Sequence, residues 1–308
     1  MSLRVALALL GALGIAWATA QGLRRRGRRT AAGRRFLGHP PAALAIGVLA
    51  FFTTVALAAP VVAPYPCNVP LDIVALRNQG PSWQHPLGTD PLSRDLLSRL
   101  ACGGRVSLAT GALGALLAVT VGTAVGAAAG YYRRRVDAVL MRVVDVGLAL
   151  PRILVLLMLV AVWDGLPLPL LVVFIGLTSW FGTSRLVRAE VLSVRERAFV
   201  DAARLLGAGP ARVIAHHVLP NVAAPIVVSA ALAVGHVLLL EAGLSFLGVG
   251  VRPPTASWGT MIRDGADYFM TAPWTAVWPG LAIALVVMAL NAVADALRDA
   301  LDPRREPV

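Results

Sequence analysis

Six apolar blocks dominate the chain, at 41–63, 106–130, 139–162, 166–183, 222–249 and 276–296. Crossing a bilayer as a helix takes about 20 apolar residues, and the blocks are of that length. A polar interval at 184–221 separates the fourth block from the fifth. The pattern predicts an all-α, polytopic membrane protein with six core spans. A further apolar stretch, Val5–Ala20, is a candidate additional N-terminal helix.

Composition agrees with this and adds orientation. Of the 308 residues 57% are hydrophobic and 14% charged, against about 25% charged in a soluble domain; the mean hydropathy is +0.74. The net charge is +12, and all 28 basic residues are Arg. A nucleotide-binding P-loop needs a Lys on the phosphates, so any ATP dependence must come from another subunit. The Arg residues cluster between apolar blocks, as cytoplasmic loops require, which argues against a nucleic-acid face. With 184–221 on the inside, nineteen Arg fall inside, in the groups Arg24–Arg35, Arg133–Arg135, Arg185–Arg212 and Arg298–Arg305, and seven outside. Arg142 and Arg152 fall within a span. Trp274 and Trp278 suit the outer aromatic belt.

Val5–Ala20 ends in Ala18-Thr19-Ala20, which imitates a signal-peptidase site. Cleavage there would strand the Arg24–Arg35 cluster outside, against the charge rule. An additional helix with an outer N-terminus is therefore preferred, with a start assigned too far upstream as the alternative. The division expected is a hydrophobic segment and Arg-rich linker at 1–35, a first core span and external segment at 36–104, a core at 105–302, and a tail at 303–308.

The interval 193–221 reads SVRERAFVDAARLLGAGPARVIAHHVLPN. Ser193 and Glu196 have capping-box spacing, predicting a helix start near Val194. Arg197–Asp201 and Asp201–Arg204 offer ion pairs one helical turn apart. Gly207 is placed for a left-handed cap, and Gly209-Pro210 for the start of a second helix. Pro220 is expected to break the chain before the fifth block. Phe199, Ala202, Ala203 and Leu206 fall on one face of the first helix. Such a face either lies in the lipid interface or docks into a groove on a partner.

Asp201-Ala202-Ala203, Gly207 and Leu219-Pro220 resemble the EAA loop of binding-protein-dependent ATP-binding-cassette importers, with Asp201 where Glu is frequent and His217 where Ile is usual. His85-Pro86-Leu87-Gly88-Thr89-Asp90 with Ser93–Arg99, and Leu244–Gly248 with Pro253–Thr255 and Ser257–Gly259, resemble the C-type permeases for dipeptides, oligopeptides and nickel. The similarity covers residues 36–302. It implies the type I importer permease fold in a bacterial inner membrane, and a coupling role for Asp201, Ala202, Ala203, Gly207, Leu219 and Pro220. It also implies a homologous second permease, two ATP-binding subunits and an extracytoplasmic binding protein as partners, with short peptides or nickel chelates as cargo. An ion-coupled secondary transporter would favour inverted repeats and broken helices, and the sequence offers neither.

Single residues add less. Asp90 is placed to cap a helix beginning at Pro91. Glu241, inside the fifth block, either touches substrate or accepts hydrogen bonds from the Leu244–Gly248 turn. Arg142 and Asp145 lie three apart and are expected to pair. Arg152 lines a watery path or meets the partner permease. His236 is expected to be a hydrogen-bonded packing residue. Gly122, Gly126 and Gly130 form a ridge for close helix packing. Whether Cys67 and Cys102 bond is open from sequence. No catalytic, cofactor or metal constellation is found: CxxC, HExxH and GxSxG are all missing.

Overall fold

The computed structural model describes residues 8, 10–16, 18, 19, 21, 22, 36, 40–163 and 166–301. The whole Arg24–Arg35 cluster, the first seven residues and the tail from 302 onward lie outside the described residues, as does Ala20 at the signal-peptidase-like end of the N-terminal segment.

The helices are α1 (Pro40–Leu57), α2 (Ala59–Val62), α3 (Leu96–Tyr132), α4 (Arg134–Ala149), α5 (Arg152–Val162), α6 (Leu168–Leu177), α7 (Trp180–Arg195), α8 (Ala198–Leu205), α9 (Pro210–Val213), α10 (Ala223–Phe246), α11 (Trp258–Ala266) and α12 (Trp274–Leu301). No strand occurs among the described residues; Thr89 and Asp95 form an isolated β-bridge. Four continuous helices are long and apolar enough to cross a membrane: Leu96–Tyr132, Leu168–Arg195, Pro210–Phe246 and Trp274–Leu301. The bent pair α4–α5 makes a fifth if counted as one span, and α1 is apolar but shorter. The six apolar blocks thus map onto these four helices, the bent pair and α1.

The third block is not the single helix that its apolar run predicts. Its two halves meet at 85°. Pro151 removes a backbone donor and pushes the preceding residue out of the helical region, and Leu150 is extended at ψ 132°. The chain therefore contains a broken helix that the apolar pattern hid. Arg152 opens the second half.

Two compact units divide the chain, one from Met1–Ala112 and Leu238–Ala296, the other from Leu113–Val237 and Leu297–Val308. In the first, the segment between α2 and α3 is held by side chains rather than by helices. Cys67 and Cys102 form a disulfide, which settles the question left open by sequence. His85 Nδ1 lies 2.9 Å from Asp95 Oδ1. Arg94 donates to Asp90 at 2.6 Å and to Asp264 of α11 at 2.7 Å, and Arg99 reaches the same Asp264 oxygen at 3.0 Å. Arg94, Arg99 and Asp90 are thereby buried together, with the partly exposed Asp264 supplying the second negative charge, as burial of ions demands.

No helix starts at Pro91. Asp90 instead accepts from the backbone N–H of Leu92 and Arg94 and closes a turn. The cap of α3 is Asp95, whose carboxylate accepts from Ser98 N–H at 2.8 Å. That is the N-cap geometry, three residues ahead of the bonded amide.

Trp258 fills the middle of this unit, edge-on to Phe52 at 5.6 Å, with its indole N–H on Leu100 O at 3.0 Å. Glu241, wholly buried, accepts from Ser245 Oγ at 2.7 Å and from Ser107 Oγ at 2.9 Å. Ser107 Oγ in turn accepts from Trp258 N–H, and Ser245 Oγ from Val251 N–H. The turn after α10 is tied to the helix through Glu241, as the structural reading of that carboxylate expects.

In the second unit the glycine ridge of α3 lies against α7. A Cβ at Gly122 would fall 2.7 Å from Thr183 Cβ, one at Gly126 2.5 Å from Ser184 O, and one at Gly130 2.9 Å from Arg188 O. Successive glycines meet successive turns of α7 in the same order, so the two helices run parallel. Parallel neighbours end on the same side of a membrane, consistent with the Arg-based assignment of 133–135 and 184–221 to one face. Asp145 pairs with Arg185 at 2.6 Å, not with Arg142. Asp137 takes both Nε and Nη2 of Arg188, at 2.5 and 2.6 Å. Helix α7 places two guanidinia along α4, and Arg188 holds Asp137 through two bonds, the stronger, bidentate form of such a pair.

Candidate coupling surface

The loop after α7 is built on an apolar cluster within the second unit. Val187, Val191 and Val194 continue one stripe along α7 and pack with Ala127 and Tyr131 of α3. That stripe carries the helix through Ser193 to Arg195, so the capping box read at Ser193 and Glu196 does not form. The break comes two residues later, where Arg197 is extended and α8 begins at Ala198.

Helix α8 turns Val200 and Ala203 into the cluster, where they meet Val213, Val218 and Val222. The face predicted from spacing therefore splits. Phe199, Ala202 and Leu206 remain exposed, whereas Ala203 is buried against the chain's own core. Leu205 and Leu206 are 89% and 88% exposed. Leu205 was not singled out by sequence, because it sits one position off the Phe199–Ala202 line. Its signal was the Leu-Leu pair directly before a cap glycine.

Gly207 terminates α8 as its position predicts. Its φ is +84°, a region costly for any residue with a Cβ. Its N–H donates to Arg204 O, and Ala208 N–H to Ala203 O. These two bonds are the Schellman pair that satisfies the last carbonyls of a helix. Nothing lies within 4 Å of a Cβ built at Gly207, so backbone conformation, not crowding, sets the requirement. Of the two predicted ion pairs, Asp201–Arg204 forms, at 3.0 Å and exposed; such a pair contributes at most about 0.5 kcal/mol.

Gly209 is extended and Pro210 opens α9, as predicted. Pro220, however, does not break the chain. Residues Ile214–Val218 form a π turn, Leu219–Val222 a 3₁₀ turn, and the helix runs on without interruption from Pro210 to Phe246. The wider turn lets Leu219 N–H reach Ile214 O, and Asn221 donates its side-chain amide to His217 O. Proline's missing donor is absorbed by a local change of helix pitch. Leu219 packs against the apolar cluster, while Pro220 is exposed. The loop is thus one short helix seated on the root of a long one.

Tyr131, near the end of α3, lies under α8. It is 8% exposed, with the guanidinium carbons of Arg204 and Arg195 at 5.1 and 5.7 Å from its ring centre. Arg195 also donates to Tyr131 O, and Arg133 pairs with Glu196. Sequence reasoning passed over Tyr131. Its only signal was an aromatic pair at the boundary between the second block and the Arg133–Arg135 cluster.

The remaining candidates lie elsewhere. Glu241 is enclosed by Ser107 and Ser245 in the first unit. Arg152 is half-buried at the start of α5, with no ion pair among the described residues. His236 is exposed on α10 and bonds Leu232 O of its own helix at 3.0 Å, so it does not pack within this chain. No group of three metal-ligating side chains occurs among the described residues.

Comparison with known proteins accounts for this architecture. Residues 122–307 match the family described as binding-protein-dependent transport system inner membrane component. Residues 30–81 match the N-terminal TM domain of oligopeptide transport permease C. A dipeptide transport system permease protein, DppC, of Alkalihalophilus pseudofirmus is 43% identical over 74% of this chain and 75% of its own length. A putative peptide permease protein of Brucella suis is 41% identical over 88% of this chain and 90% of its own. The nickel transport system permease protein NikC of Escherichia coli is 42% identical over 84% of this chain and 93% of its own. The chain belongs to the binding-protein-dependent transport inner membrane component family, as a C-type permease subunit of the bacterial inner membrane.

Proposed function

We propose that this permease moves short peptides inward, receiving them from an extracytoplasmic binding protein. It works beside a homologous second permease on two ATP-binding subunits. The observation that carries the reading is α8: a short helix, fixed from below by Val200 and Ala203, that leaves Phe199, Ala202, Leu205 and Leu206 facing outward. An apolar, small-residue face held rigidly outside the spans suits a groove on a partner. Closure of the ATP-binding subunits would displace α8, and with it the helices on which it is seated. Gly207 sets where α8 stops, and Leu219 and Pro220 shape the root beneath it. Asp201 holds Arg204 alongside.

Peptide cargo rests on the dipeptide and peptide permeases among the relatives, and nickel chelates are the second reading because a nickel permease is matched over nearly its whole length. The complete complex, reconstituted in proteoliposomes, separates them with radiolabelled dialanine and a radiolabelled nickel–citrate chelate as probes. Dialanine uptake dependent on ATP and on both ATP-binding subunits is the expected result. Uptake driven by an ion gradient with those subunits absent would sink the importer reading, and nickel–citrate uptake alone would replace the cargo.

A further inference from the structure

Tyr131 is large, aromatic and nearly buried, yet it is not simply another member of the apolar cluster beneath α8. Both faces of the problem meet on its ring. Arg204, the basic residue in the last turn of α8, stacks on it at 5.1 Å, and Arg195, from the last turn of α7, at 5.7 Å. Arg195 also grips its backbone carbonyl. Val200 and Ala203 complete the seat from the same short helix. Helix α8 has only eight residues, too few to hold its own shape without tertiary contacts. What it rests on therefore decides what moves with it.

Apolar contacts slide with little directional penalty. A cation over an aromatic face is different: the attraction follows the ring quadrupole and falls away when the cation leaves the face. Arg204 on Tyr131 is thus the contact that resists sliding of α8 across the end of α3. We infer that Tyr131 is a positioning residue for coupling: through Arg204 it fixes α8 to α3, so that displacement of α8 is passed to that spanning helix rather than lost in the loop. The inference rests on the reading of α8 as the surface that meets the ATP-binding subunits, and assigns the next link inward from it.

The test uses the full complex in proteoliposomes with radiolabelled dialanine, reading three quantities on each variant: ATP-binding subunit retained on purification, ATP hydrolysis, and dipeptide taken up per ATP. Tyr131→Leu keeps an apolar side chain and removes the ring; Tyr131→Phe keeps the ring. Tyr131→Leu is expected to retain the ATP-binding subunits and ATP hydrolysis while uptake per ATP falls about tenfold, the scale set by losing the partly desolvated cation–π contact with Arg204. Tyr131→Phe is expected to restore most of that ratio. Arg204→Gln should reproduce the loss and Arg204→Lys should recover it, which keeps the test available if Tyr131→Leu does not assemble. An unchanged uptake-to-ATP ratio in Tyr131→Leu or Arg204→Gln overturns the inference. Equal loss in the Leu and Phe variants also overturns it, because the ring would then matter only as packing. Failure of the underlying reading looks different: Ala202→Arg would leave ATP-binding subunit retention unchanged.

Discussion

Adding one methyl group at Gly126 should force α3 and α7 apart, and the cost can be worked from their approach. A Cβ there would lie 2.5 Å from Ser184 O, 2.8 Å from Val187 Cβ and 3.0 Å from Arg188 N. Relaxed carbon contacts sit at about 3.5–4.0 Å, so the helices must separate by roughly 1 Å. Two of the three near atoms are backbone, which cannot rotate away. The seam at Gly122 and Gly130 opens with it, and a gap of about 0.5–1 Å forfeits a quarter to a half of each contact's attraction. Overpacking of this kind costs about 1–3 kcal/mol. Replacing Gly by Ala in a helix returns up to about 1 kcal/mol, and a control removes that term. Gly243 lies within α10 with nothing inside 4 Å of an added Cβ. The difference between Gly126→Ala and Gly243→Ala therefore isolates the overpacking. In thermal unfolding of the detergent-solubilised protein, followed by tryptophan fluorescence, each kcal/mol corresponds to about 2–4 °C. Gly126→Ala is expected to melt several degrees below Gly243→Ala. Equal midpoints would refute the claim that this ridge is a close-packed seam.

Two further outcomes follow from the outer segment of the first unit. Asp264→Ala leaves Arg94 and the 1% exposed Arg99 sharing Asp90 alone, and should destabilise by about 3 kcal/mol, the lower part of the range for breaking a buried pair because Asp264 is itself a third exposed. An unchanged melting midpoint would contradict the cluster. Cys67→Ser with Cys102→Ser opens a loop of sequence separation 35, and chain entropy predicts a loss of about 3–4 kcal/mol. Reductant should lower the midpoint of the wild type and leave that of the double variant unmoved; a wild type insensitive to reductant would contradict the bond.

Much of this was readable from residue spacing, and the failures share one cause. The Gly122–Gly126–Gly130 ridge, the Gly207 cap and the Gly209-Pro210 start depend on neighbours within a turn, and spacing reports such neighbours directly. Ser193–Glu196 and Asp90-Pro91 carried equally good local signals and were overruled. The first lost to a valine stripe that keeps α7 helical past Ser193, the second to Arg94 and Arg99, which draw Asp90 into a charge cluster and leave capping to Asp95. Arg142 lost Asp145 to Arg185 for the same reason. The short helix and glycine cap between α7 and α9 were legible, but the orientation of α8 was not. Which of Ala202 and Ala203 faces outward depends on what lies beneath α8, and that is Tyr131 and the valines of α7, of α9 and of the two turns that follow α9. Pro151 and Pro220 show the same limit. Both threaten a helix, yet only Pro151 bends it, because a π turn absorbs Pro220.

The most direct test of the account is whether the exposed face of α8 holds the ATP-binding subunits. Ala202→Arg puts a charged side chain on that face without touching the cluster beneath, whereas a substitution at Ala203 would disturb the loop's own core. Co-purification of the ATP-binding subunits with the variant, alongside its yield in the membrane fraction, is the measurement. The account predicts normal membrane yield with the ATP-binding subunits lost. Normal yield with those subunits fully retained would contradict it.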